Sequence, residues 1–152
     1  MIVPPDFRRK FPLLVPGTFH QASPATTAYN CIAWAAGVHT VPWWPHQDAF
    51  WPPGVPIEDT IDAVVRAFAT LGYGLCADGV PETDFEKIAI YADFGGTPAH
   101  AARQLPDGMW TSKLGPNIDI VHTEPRVLNG PEYGTVVRFM RRRQASLSNI
   151  AR

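Results

Sequence analysis

Cys31 lies in the run Tyr29-Asn30-Cys31-Ile32-Ala33-Trp34-Ala35, just after a Thr-rich turn and at the start of an apolar helical stretch. A thiol placed there meets the partial positive charge of a helix N-terminus, which favours thiolate and with it nucleophilicity. Far downstream, His100 falls in the strand-like segment Pro98-Ala99-His100-Ala101-Ala102-Arg103-Gln104-Leu105, and an imidazole is the base that a cysteine nucleophile requires. The pair also needs a third polar group that fixes the imidazole tautomer. Pro106-Asp107-Gly108 marks a tight turn, and a hairpin through it sets Ser112 opposite Ala102, one diagonal step from His100. Asp119, in Asn117-Ile118-Asp119-Ile120-Val121-His122, is the chemically stronger orienter because a carboxylate stabilises imidazolium, but spacing does not fix its position. Ser112 and Asp119 are therefore both candidates. The oxyanion of an acyl-transfer reaction would fall to the Cys31 amide and the Asn30 side chain.

Each residue taken singly has a plainer reading. A free cysteine on an apolar helix is ordinarily a small buried hydrophobe, and Cys76, in Gly74-Leu75-Cys76-Ala77, has no polar company at all. A histidine flanked by alanines is as readily a satisfied core residue. The joint order of helix-start Cys, strand His and polar residue on the next strand is what carries chemistry. It predicts Cys31 to be the more reactive thiol.

The elements that must position these groups follow from periodicity and punctuation. Residues 1 to 26 read as an irregular lead-in. Thr26 or Thr27 supplies a hydroxyl N-cap for a helix through Ala28, Ile32, Ala35 and Ala36 that ends near Gly37. The segment Val41-Pro42-Trp43-Trp44-Pro45-His46-Gln47-Asp48-Ala49-Phe50-Trp51-Pro52-Pro53 is an ordered loop, since proline removes donors and fixes backbone angles. Its Trp43 and Trp44 either line a substrate groove or cap the core. Ile61, Val64, Val65, Phe68 and Leu71 then mark a second helix, which Gly72 stops. Beyond it the period changes to strands at 87–92, 98–105, 109–114 and 133–140, which makes an α+β order of helices before sheet. Residues 1–140 form a single globular domain, and 141–152, opening on Arg141-Arg142-Arg143, form a basic flexible tail.

This arrangement resembles the papain-like cysteine peptidase superfamily, in which an N-terminal helix carries the nucleophile and an antiparallel sheet carries the base. His100-Ala101 matches the start of the base strand, Ser112-Lys113-Leu114-Gly115 loosely matches the orienter strand, and Tyr133-Gly134 inverts a later Gly-Tyr. The family's Gln ahead of the cysteine and its Cys-Trp pair are missing, and its Asn orienter is replaced or displaced. The chain also resembles small uncharacterised bacterial proteins sharing Tyr-Asn-Cys-Ile-Ala-Trp-Ala and Trp-Thr-Ser-Lys-Leu-Gly, a likeness that brings no activity with it. The resemblance implies a papain-like α+β fold, with the cysteine-bearing helices packed on an antiparallel sheet.

Composition narrows the partners. The 13 basic and 14 acidic residues nearly cancel, so nothing global points to nucleic acid or to an acidic membrane surface. No run approaches the roughly 20 apolar residues of a membrane span, and the first ten residues lack the order of a secretory signal. Two cysteines outside any Cys-x-x-Cys pair favour a reduced, cytoplasmic setting, with signal-free export left open. His20, His39, His46 and His122 show no ligand spacing, so no metal and no cofactor is expected, and the chain is read as a monomer. The sequence thus predicts a thiol hydrolase or acyl-transfer enzyme acting on amide, peptide or isopeptide bonds of a protein or peptide substrate. An effector or toxin role fits by analogy alone. The competing expectation is a non-catalytic binding or immunity module that uses the Trp-Pro loop as an apolar contact patch.

Overall fold

The computed structural model describes residues 6–46 and 48–144. Seven strands build one antiparallel sheet: β1 (Phe19–Ser23), β2 (Gly74–Cys76), β3 (Phe85–Ala92), β4 (Pro98–Gln104), β5 (Trp110–Lys113), β6 (Asp119–His122) and β7 (Thr135–Arg143). They lie in the order β1-β6-β5-β4-β3-β7-β2. Among the described residues three α-helices accompany it, α1 (Phe7–Lys10), α2 (Cys31–Ala35) and α3 (Ile61–Ala69), with a 3-10 turn at Pro125–Leu128. The α+β class and the antiparallel sheet read from the sequence are therefore present.

Strand alternation divides the core into two clusters. Ile88, Ile90, Ala101 and Met140 pack with Cys31, Ile32, Ala33 and Ala35 of α2 and with Ala63, Val64, Ala67 and Phe68 of α3. The intervening Ala89, Tyr91 and Ala102 pack with Trp110, Ile120, Leu128, Tyr133 and the α1 residues Phe7 and Phe11. This is the period-2 signature of a sheet covered on both faces. It explains why β3 reads as a continuous apolar run.

The lead-in is more ordered than its turn-rich composition suggested. It contributes α1 and also β1, which pairs with β6 at the sheet edge. Helix α2 starts later than expected, at Cys31, because Asn30 rather than a threonine is the residue whose side chain accepts from the third helical amide. Thr60 caps α3 in the same way, and Gly72, at φ +92°, ends that turn. Arg141, Arg142 and Arg143 do not open a tail: they finish β7, opposite Lys87, Glu86 and Phe85. The rest of the expected tail, from residue 145, lies outside the described residues.

One glycine is fixed by close approach. Gly134 adopts φ +68°, and a Cβ there would sit 1.9 Å from the Ala92 carbonyl oxygen. Gly134→Ala is expected to destabilise the fold by at least about 2 kcal/mol, since backbone cannot retreat as a side chain can. Urea denaturation would show this as a lowered midpoint.

Candidate functional site

Asn30 holds Cys31 at the first position of α2. Its Oδ1 accepts from the amides of Ala33 at 3.1 Å and Trp43 at 3.0 Å, and its Nδ2 donates to the Trp43 carbonyl at 2.7 Å. Every polar atom of this side chain is thus committed to capping and to the Trp loop. Nδ2 gives one of its two hydrogens to Trp43, so the expected oxyanion role of Asn30 would rest on the remaining N–H.

The Trp loop closes over the helical side of the core. Trp43 is 6% exposed and Trp51 8%, while Trp44 is half-buried against the same cluster. Neither Trp43 nor Trp44 lines the cavity beside Cys31, and both pack against the core cluster as the capping alternative expected.

Cys31 is itself buried, at 7% exposure. Burial pushes its thiol up to about 11, while the amides of Ala101, Ile32 and Cys31 and the Lys113 ammonium pull the other way. The sequence expected the helix start to win. It does not, because α2 has only five residues, a short dipole set against full desolvation. Both cysteines are free.

His100 stands opposite Tyr91 in the β3–β4 ladder and is fully buried. Its ring stacks on Tyr133 with centroids 4.1 Å apart and planes 7° from parallel, and it meets Tyr91 edge-on at 5.1 Å. Nε2 lies 2.9 Å from Ser112 Oγ, which in turn lies 2.8 Å from His122 Nε2. His122 Nδ1 ends the chain, 3.0 Å from the Glu124 carbonyl oxygen. The hairpin argument for Ser112 is thereby met in distance. Asp119 goes elsewhere: it accepts from Ser23 Oγ and Tyr29 OH, both at 2.9 Å, and is not an orienter of His100. Alternation is the reason, since Asp119 pairs with Lys113 while Ser112 pairs with Ile120, one residue out of phase.

Proton positions in this chain follow from one acceptor-only group. Burial holds His122 down at about 4, with the Glu124 carbonyl opposing, so near pH 7 the ring is neutral. A carbonyl can only accept, so the proton sits on His122 Nδ1 and leaves Nε2 as an acceptor. Ser112 must then give its single hydrogen to His122 and accept from His100 Nε2. His100 Nδ1 is left a bare lone pair, sealed from solvent and without a hydrogen-bond partner. Burial first, and His122 second, hold His100 well below the ordinary histidine range, so its ring is neutral too.

The thiol does not meet that lone pair. Since His100 Nδ1 has no partner, the expected Cys31–His100 hydrogen bond is not formed here. His100 does not line the cavity beside Cys31 and borders it only through the Tyr133 ring that stacks on it. Cys31, Ala99 and Tyr133, the ring stacked on His100, line a cavity of about 140 Å³ together with Phe7, Phe11 and Leu114.

Residues 20–141 match a family described as a domain of unknown function (DUF7689). The chain belongs to that family. Its matched span takes in α2, the β4–β5–β6 meander with the His100–Ser112–His122 chain, and most of β7. No curated protein and no solved structure matches. Among the described residues, no helix is long and apolar enough to cross a membrane, and no three His, Cys, Asp or Glu side chains cluster as metal ligands do.

His122 and Tyr133 were not singled out by the sequence as members of this site. His122 carried a signal all the same: Ile118, Ile120 and His122 alternate on one side of a strand that also follows a turn from Ser112. Tyr133 enters from a loop, and nothing in its spacing points to His100.

Proposed function

We propose that this protein is a thiol-dependent hydrolase or acyl-transfer enzyme acting on amide, peptide or isopeptide bonds, in the manner of papain-like peptidases. Cys31 is the nucleophile, His100 the base and Ser112 its orienter. The observation that carries the reading is the bare Nδ1 of His100: a proton-accepting atom, held in one tautomer by Ser112 and His122, buried with no donor to satisfy it. Buried polar atoms without partners are uncommon and cluster where chemistry needs them.

Such a base works on a neutral thiol. With the thiol pushed up and the imidazole pushed down, the resting pair is neutral, and proton transfer to Nδ1 accompanies attack of sulfur on the carbonyl carbon. The protonated Nδ1 then returns its proton to the leaving amine, giving a thioester that water or a second amine resolves. Catalytic hydrogen bonds are often long in unliganded sites and tighten around substrate.

Cys76 provides the control, since it is more exposed than Cys31 and reacts first if exposure alone decides. On treatment with iodoacetamide at pH 6.5 and peptide mapping, the proposal expects modification at Cys31 ahead of Cys76, and a lower Cys31 rate in His100→Ala. Labelling of Cys76 first, with Cys31 untouched in the folded chain, overturns it.

The burial of the thiol favours a second reading, a non-catalytic binding or immunity module. In that case Cys31 is an inert core residue. Phe50 and Val41, 45% and 41% exposed, are then the apolar contacts that the Trp-Pro loop offers a partner.

A further inference from the structure

Lys113 is a fully buried lysine, 0% exposed, on the strand that carries Ser112. Burying an ammonium is costly unless its donors are satisfied. Its Nζ donates to the carbonyls of Thr26 at 2.9 Å and Gly115 at 2.7 Å, and also to that of Asn117. The same nitrogen lies 5.3 Å from the centre of the Tyr29 ring. Thr26 belongs to the turn that leads into α2, and Gly115 and Asn117 belong to the loop that walls the Cys31 cavity. One side chain therefore ties the turn leading into α2 to the loop that walls the cavity Cys31 lines. Asp119, its partner in the β5–β6 ladder, is occupied by Ser23 and Tyr29. Among the described residues no carboxylate lies within ion-pairing distance of Lys113 Nζ.

We propose that Lys113 is the positioning residue of the Cys31 site: its buried ammonium clamps the cavity loop to the turn before α2 and supplies the positive charge that favours the sulfur anion. This rests on reading Cys31 as the nucleophile. Three neutral carbonyls hold the cation without cancelling its charge, so a nearby forming thiolate feels it at low dielectric. Burial lowers the lysine from its ordinary range, with Asp119 and Cys31 opposing. The other ionisable groups facing the thiol region are Tyr29, packed in the same core cluster ahead of α2, Lys10 at the end of α1, and Glu132 and Tyr133 beyond β6. Lys10 also faces Asp6 and Glu132, at 3.2 and 3.9 Å, so its charge is locally offset.

The test is the rate of Cys31 alkylation by iodoacetamide from pH 7 to 9 in the full chain, followed by peptide mapping, with Cys76 as the internal reference. Lys113→Met is expected to slow Cys31 about tenfold at fixed pH, equivalent to about one pKa unit. Asp119→Asn, which removes the negative charge facing the lysine, is expected to speed it severalfold. A purely structural lysine predicts otherwise, because loosening the loop exposes the thiol and accelerates both variants. Unchanged or faster labelling in Lys113→Met, or slower labelling in Asp119→Asn, overturns the assignment. If Lys113→Met does not fold, Lys113→Gln, which keeps amide donors for the carbonyls but carries no charge, decides in its place: slower Cys31 labelling supports the assignment, and unchanged or faster labelling overturns it. Failure of the hydrolase reading is separate: both rate shifts then stand while Cys76 still reacts ahead of Cys31 in the unmutated chain.

Discussion

Between pH 6.5 and 4 the protein is expected to lose on the order of 3 kcal/mol of stability through His122 alone. Unfolded histidine takes up a proton near 6.5, whereas the folded ring holds off until about 4. Through that window the unfolded state binds more protons, so stability falls as pH falls. Above 6.5 the contribution is complete, and below 4 no more is lost. His100, held well below its ordinary range and bonded into the same chain, deepens the loss in the same direction. Denaturation midpoints measured at half-unit steps of pH would show the decline, and His122→Gln would flatten it. A midpoint indifferent to pH between 6.5 and 4 would mean that the two rings are not held neutral by the fold.

Ser112→Ala is expected to be the most damaging small substitution in the sheet. The serine hydroxyl is the only link between two fully buried rings, donating to one and accepting from the other. Its removal orphans an N–H on His100 and an acceptor on His122 at once, at about 1–3 kcal/mol for each unsatisfied group. A loss of about 2–5 kcal/mol in urea denaturation is the expected result. Under the proposed mechanism the chemistry should suffer separately, because a His100 free to change tautomer no longer keeps Nδ1 as a proton acceptor. Ser112→Thr keeps the hydroxyl and should recover much of the stability. If Ser112→Ala cost less than about 1 kcal/mol, the tautomer argument would fail with it.

What could be read from the chain before its structure was whatever depends on local spacing. The hairpin through Pro106-Asp107-Gly108 put Ser112 diagonal to His100 because turn length fixes register and register fixes faces. The α3 periodicity gave its buried face for the same reason. Cys31 was legible as a helix-start thiol, yet its reactivity was not, since desolvation depends on what the Trp loop and α1 bring from elsewhere in sequence. Asp119 shows the opposite failure: its charge recommended it, but a one-residue phase shift relative to Ser112 sends it to the other face. Asn30 looked like a free amide until the long loop carrying Trp43 returned its backbone to it. Long-range return of chain is the part that spacing does not encode.

The strand order has a consequence for how the molecule comes together. His100, Ser112 and His122 sit on β4, β5 and β6, which neighbour one another in space as they do in sequence. Only short loops need close to bring them into line, so this hydrogen-bonded chain with its fixed proton pattern belongs to an early, local stage of folding. Cys31 reaches the same region through contacts between α2 and strands β4 and β5 that lie far along the chain. Cys31 therefore joins a rack that is already built, and during folding the thiol spends its most exposed moments before that packing forms.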